Sequence, residues 1–124
     1  MSWVVQFHDD LEPEFDELSR AVQDELLAQA KVLEKFGPTL GRPRVDTLRD
    51  SRHANMKELR FDADGGVWRV AFAFDPQRKA ILLVAGDKAG VSERKFYVRL
   101  IGRADKRFSE HLAKFEEQKK RKGK

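Results

Sequence analysis

At 124 residues the chain is long enough for one domain with a real hydrophobic core, and it holds no cysteine, which excludes a disulfide framework and thiolate chemistry. Charged residues make up 37% of it against 40% hydrophobic, with a net charge of +4 and a pI of about 9.5, a balance that suits a polyanionic partner such as nucleic acid. The longest apolar run, residues 80–86 (AILLVAG), is too short to span a bilayer, and no basic segment followed by a long apolar one opens the chain, so neither a membrane span nor a signal peptide is expected and the predicted location is cytoplasmic.

The chain opens on Trp3, Val5 and Phe7 alternating with Val4 and Gln6, which predicts a short strand. Asp9 and Asp10 are N-cap candidates and Pro13 suits a first helical turn. Apolar residues then recur at Phe15, Leu18, Val22, Leu26, Ala30, Leu33 and Phe36, one face of a helix or of a helical hairpin broken near Ser19, and Gly37-Pro38 ends it. Residues 39–54 read as an irregular, basic connection containing Arg42, Arg44, Arg49, Arg52 and His53. A solvated loop accounts for such a segment; the alternative is a phosphate grip, because the guanidinium fork matches phosphate oxygens.

Residues 56–88 organise the rest. Three strand-like runs, 56–61 (MKELRF), 67–74 (VWRVAFAF) and 80–85 (AILLVA), are separated by turn signals too short for parallel crossovers, so they predict an antiparallel meander. Alternation puts Trp68, Val70, Phe72 and Phe74 on one face, expected to be the core, and Arg69 on the other beside Ala71 and Ala73. If residues 63–66 form the loop, Asp62 faces Val67, Leu59 pairs with Val70, and Arg60 pairs with Arg69. Two arginines opposite each other destabilise a sheet, and an anionic ligand would justify them. Glu58 is expected near them.

A turn at residues 86–90 follows. Ser92 is then an N-cap candidate, with Glu93 in the first turn. Phe96, Leu100, Ala104, Phe108, Leu112 and Phe115 continue at helical spacing, with a break expected near Gly102. Residues 119–124 read as a frayed basic tail on a domain of residues 1–118.

No metal site is expected: His8, His53 and His111 are far apart, and no HExxH pattern occurs. Asp64-Gly65-Gly66 is a hairpin turn and not a phosphate loop. What remains is a group of cations on a sheet, Lys57, Arg60, Arg69 and Lys88, with Lys95 and Tyr97 near the start of the last helix. Such a group can cleave RNA without a cofactor. The 2′-OH is the nucleophile, arginines stabilise the phosphoryl charge, and a lysine, glutamate, histidine or tyrosine of tuned pKa moves the protons.

Lys57-Glu58-Leu59-Arg60, then residues 68–73 (WRVAFA), then Gly86-Asp87-Lys88 before an aromatic-bearing helix, resemble the phage-related HigB-like branch of the RelE/ParE toxin superfamily. The resemblance covers nearly the whole chain. It implies an α+β fold of the microbial-ribonuclease type: N-terminal strand, helical hairpin or long helix, three-stranded antiparallel meander, C-terminal helix. It also implies a type II toxin–antitoxin toxin that cleaves mRNA on the ribosome without a metal. Arg69 matches the family's phosphate-stabilising arginine, Lys57 or Arg60 the basic residue of the preceding strand, and Lys88, Lys95 and Tyr97 are the candidates near the C-terminal helix. Arg42, Arg44, Arg52, His53 and Lys95 are the expected RNA contacts. His53 is a candidate base, and His111 is expected on the helix surface. The implied partners are a cognate antitoxin, often with a helix-turn-helix domain, the ribosome and mRNA, with DNA reached only through the antitoxin complex. Two other readings stay open: a ParE-like toxin that acts on DNA gyrase, and an inactive basic module that binds RNA or ribosomes.

Overall fold

The computed structural model describes residues 2–122. The elements are β1 (Val4–Phe7), α1 (Leu11–Asp16), α2 (Arg20–Phe36), a short 3-10 turn (Gly37–Thr39), β2 (Val45–Thr47), β3 (Lys57–Ala63), β4 (Gly66–Phe74), β5 (Lys79–Asp87) and α3 (Glu93–Lys122). The architecture is α+β, as expected, and the sheet has five strands: the expected N-terminal strand and three-stranded meander, with β2 added at one edge. Its order is β1-β5-β4-β3-β2, with β1 parallel to β5 and the other pairs antiparallel. β2 falls in the segment read as irregular; its three residues become a strand only because β3 offers an edge to pair with.

The central register is the expected one. Arg60 lies opposite Arg69, Leu59 opposite Val70 and Asp62 opposite Val67. Ala63 also pairs with Gly66, so the loop shrinks to Asp64 and Gly65, both at positive φ (52° and 76°). That is the two-residue turn whose twist suits a hairpin, and glycine takes its second position without a Cβ penalty. Losing two loop residues leaves every side chain on the same face.

The sheet is covered on both sides. α1 and α2 pack on one face, where Leu11, Val22, Leu26 and Leu33 meet Leu59, Val70, Phe72 and Leu82. Ser19 is the N-cap of α2, its Oγ accepting from Val22 N–H at 3.3 Å, so the predicted break there is real. α3 packs on the other face, where Phe96, Leu100, Ala104 and Phe108 cover Ala71, Ala73, Ile81, Leu83 and Val84. Ala71 and Ala73 are small because a helix lies on them. A bulge in the β4–β5 ladder turns both Leu83 and Val84 toward α3.

Two helix expectations need correction. α3 runs unbroken through Gly102, since its apolar stripe holds the helix on both sides of that residue. The helix also continues to Lys122, through much of the expected basic tail, where good helix formers and an Arg121–Glu117 pair (2.9 Å, i and i+4) support it. Residues 123 and 124 lie outside the described residues. Among the described residues, no helix is long and apolar enough to cross a membrane.

Candidate functional site

Covering the second face of the sheet with α3 changes the setting of the arginine pair. Arg69 is only 7% exposed. Its Nη1 donates to the Trp68 carbonyl (2.9 Å), and its Nε donates to the Tyr97 hydroxyl (3.3 Å) and lies 3.7 Å from Glu58 Oε1. Tyr97 reaches down from α3 and donates to the same Glu58 oxygen at 2.8 Å. Arg60 approaches Glu58 from the other side, with Nε 4.0 Å from Oε2, and its Nη1 lies 4.0 Å from Asp46 Oδ2. Lys88 places its ammonium 5.6 Å from the Tyr97 ring centre and is paired with Glu93 at 3.1 Å.

Glu58 is the centre of this arrangement, and the sequence pattern assigns it no role. It sits between two arginines at 5% exposure, yet its carboxyl is pushed above the ordinary value. Burial is the dominant cause, and it outweighs the Tyr97 hydrogen bond and the attraction of Arg60 and Arg69, both of which favour the charged form. The Tyr97 phenol is also pushed up, first by burial and then by donating to Glu58, so it keeps its proton. The pair therefore joins a carboxylate of enhanced basicity to a protonated phenol.

This group forms part of the wall of a concavity of about 790 Å³ between α3 and the β2–β3 connection. Glu58, Arg60 and Tyr97 line it, with Asp46, Arg49, Arg94 and Val98 among its other walls. Arg69 does not line it; it stands behind Glu58 and Tyr97. The exposed face expected to carry the arginines is therefore a cleft, and of the Arg60–Arg69 pair it is Arg60 that a ligand in it can touch.

The other expected residues divide by strand parity and by tertiary anchoring. Lys57 shares parity with Leu59 and Phe61 and so belongs to the α2 side of the sheet, away from the cluster. Arg44 donates to Gln29 of α2 at 3.1 Å, which also takes it away. Arg42 stays at the edge, 3.9 Å from Asp46. Arg52 has an exposed side chain, and its backbone N–H is held by Asp105, which also takes a hydrogen bond from Ser51. His53 bonds Ser109 at 3.0 Å and packs edge-on against Phe108, so it pins the loop to α3, and it does not line the cleft. Lys95 lies on another side of α3, in a separate recess with Arg99 and Arg103. His111 is no free surface residue; its Nε2 bonds the buried Asp75 at 2.8 Å.

One group of candidate metal ligands lies outside the cleft. His8 and Asp10, two residues apart, and Glu110 from α3 place ligand atoms within 4.8 Å of one another. His8 Nδ1 accepts the Asp10 N–H (3.1 Å), and the Asp10 carboxylate lies 3.9 Å from Arg107, so His8 and Asp10 are already engaged within the fold.

Residues 13–109 match the family model described as phage derived protein Gp49-like (DUF891). Two curated proteins of Mycobacterium tuberculosis are similar. "Putative toxin HigB2" is 50% identical over 103 residues, which cover 82% of this chain and 51% of that protein. "Putative toxin HigB3" is 46% identical over 99 residues, 80% of this chain and 84% of that protein. The chain thus spans about half the length of HigB2 and most of HigB3. Among solved structures, a double-arginine mutant of the E. coli toxin RelE in the free state superposes with a TM-score of 0.55 at 12% identity, covering 82% of this chain and 95% of that one. The archaeal RelE–RelB complex from Pyrococcus horikoshii gives 0.51 at 20%, covering 73% and 100%. At those identities the likeness is one of fold.

Proposed function

The chain belongs to the phage-derived Gp49-like family, and from that membership we propose that it is a HigB-type toxin of a type II toxin–antitoxin system, acting in the cytoplasm as an endoribonuclease on mRNA in the ribosome. The observation that carries the catalytic part is Glu58: a buried carboxylate of raised pKa, bonded to Tyr97 and set between two arginines in the wall of a cleft.

In this reading Arg60 donates to the non-bridging oxygens of the scissile phosphate and stabilises the charge that grows there. Glu58 takes the proton of the 2′-OH. The O2′–P bond forms and the P–O5′ bond breaks, and Tyr97 gives its proton to O5′. The products are a 2′,3′-cyclic phosphate and a 5′-hydroxyl end, and the proton on Glu58 returns to Tyr97 along their hydrogen bond. Arg69 is a positioning residue: it holds the carboxylate and the phenol in register and adds positive charge behind them. This departs from the expectation that Arg69 meets the phosphate itself, because Arg60 alone of the pair lines the cleft. No residue in the scheme calls for a metal.

The partner in the cell is a cognate antitoxin. The archaeal neighbour from Pyrococcus horikoshii is itself a RelE–RelB complex, and the basic surface here suits an acidic segment. DNA is reached only through the antitoxin.

The test is induction of the wild type and Arg60→Ala in a bacterium, with mapping and end-group analysis of mRNA. Wild type alone should arrest growth and leave new 5′-hydroxyl ends, with cutting reduced about 10²–10³-fold in the variant. Arrest without new ends would replace this reading with the gyrase one. Folded protein with neither effect would leave an inactive RNA-binding module.

A further inference from the structure

Gly102 stands in the middle of α3, where glycine destabilises a helix relative to alanine. Nothing in the fold asks for it. Its backbone is not among those at positive φ, and a Cβ added there would meet no atom within 4 Å. One turn earlier on the same helix stands Val98, 69% exposed and the most open of the large apolar side chains among the described residues. Both residues, with Ile101, line the cleft that holds Glu58, Arg60 and Tyr97. A missing side chain and an uncovered apolar one, adjacent on one helix face, leave a smooth non-polar shelf beside a charged centre.

We propose that Val98, Ile101 and Gly102, with Leu48 and Arg49 from the β2–β3 connection, form a slot for a nucleobase of single-stranded RNA next to the phosphate held at Arg60. This rests on the reading of the cleft as an RNA-cleaving site and adds the element that would give it a base preference. A nucleobase has two flat apolar faces and needs width, which a side chain at position 102 would remove. Aliphatic groups pack against one face, and a guanidinium such as that of Arg49 stacks on the other. The connection is held at a set spacing from α3 because Asp105 bonds Ser51 and the Arg52 backbone, and His53 bonds Ser109.

The test is binding of two probes to the full chain: a 2′-O-methyl RNA trinucleotide, which cannot be cut, and the same trinucleotide abasic at its central position. Their phosphates are identical, so the difference reports the base alone. The wild type should prefer the base-bearing probe about tenfold. Gly102→Leu should lose that preference with a thermal midpoint no lower than wild type, and Gly102→Ala should keep most of it. Val98→Ser, at an exposed position, checks the shelf without risk to folding and should lower the preference about threefold. Equal binding of both probes by wild type, failure to bind either at millimolar concentration, or a preference retained in both Gly102→Leu and Val98→Ser would overturn the slot. A base preference in a protein that cuts no mRNA would leave the slot standing and remove the nuclease. Cutting with no base preference would do the reverse.

Discussion

α3 meets the rest of the molecule through two arginine–carboxylate clusters, and they are built from the same residue types to opposite effect. Around Glu14, Arg107 makes a bidentate pair at 2.6 and 2.8 Å, Arg103 adds a third contact at 2.7 Å, and Arg107 also donates to the Leu83 carbonyl at 2.7 Å. The Glu14 carboxyl is accordingly held below its ordinary value, chiefly by the Arg107 hydrogen bond. Around Glu58 the arginine contacts are long, 3.7 and 4.0 Å, burial dominates, and the carboxyl is pushed up. Short charge-assisted bonds make the first cluster a clamp between α1, α3 and β5. The second leaves its carboxylate under-compensated and so ready to accept a proton. The shifts have opposite signs, and in the proposed reading that difference marks Glu58 as the reactive carboxylate and Glu14 as the structural one.

The most direct challenge to that contrast is to remove each centre in turn. Glu58→Gln keeps the shape and the hydrogen bond to Tyr97 but removes the base; mRNA cutting should fall about 10²–10⁴-fold in a protein that still folds. Arg107→Ala should do the opposite. It strands the Leu83 carbonyl and leaves Glu14 to Arg103, so stability should drop by about 2–4 kcal/mol in chemical denaturation, while cutting per folded molecule is retained.

A subtler effect is in the pH dependence. Glu58 binds its proton more tightly folded than unfolded, so its contribution to stability is full at low pH and is lost as pH rises through its raised folded value. Glu14 binds its proton less tightly folded, so its contribution is present above the unfolded value and is lost as pH falls through the folded one. Thermal melts should therefore show Glu58→Gln gaining on wild type as pH rises above the ordinary glutamate value, and Glu14→Gln gaining on wild type as pH falls below it. Parallel curves for the two variants would erase the distinction. The smallest effect is expected at Lys57, on the other side of the sheet: Lys57→Ala should change cutting by less than about twofold, within the range of an ordinary surface substitution.

The fold is legible in the sequence where chemistry is local. Alternation and loop parity place Arg60 opposite Arg69, and the 3.6-residue spacing locates α2 with its break at Ser19. The parallel pairing of β1 with β5 is not legible, because the two are more than seventy residues apart and no turn signal links them. Nor is the docking of α3 over the arginine face, which turns an apparent open surface into a cleft and puts Arg69 out of reach. The anchors at Asp105 and Ser109, which draw His53 away from the cleft, span more than fifty residues. Lys57 is a different case, since its parity with Leu59 and Phe61 is visible in the sequence and charge alone groups it with the cluster. Glu58 lies in plain sight between cations, but only burial gives it the raised pKa that marks it.

The pH–rate profile of mRNA cutting on translating ribosomes, for wild type and Glu58→Gln, tests the role of Glu58 as the base most directly. The wild-type rate should rise with pH through an ionisation above the usual glutamate range, and the residual rate in Glu58→Gln should lack this step. A folded Glu58→Gln protein that cuts at the wild-type rate with the same profile would contradict that role.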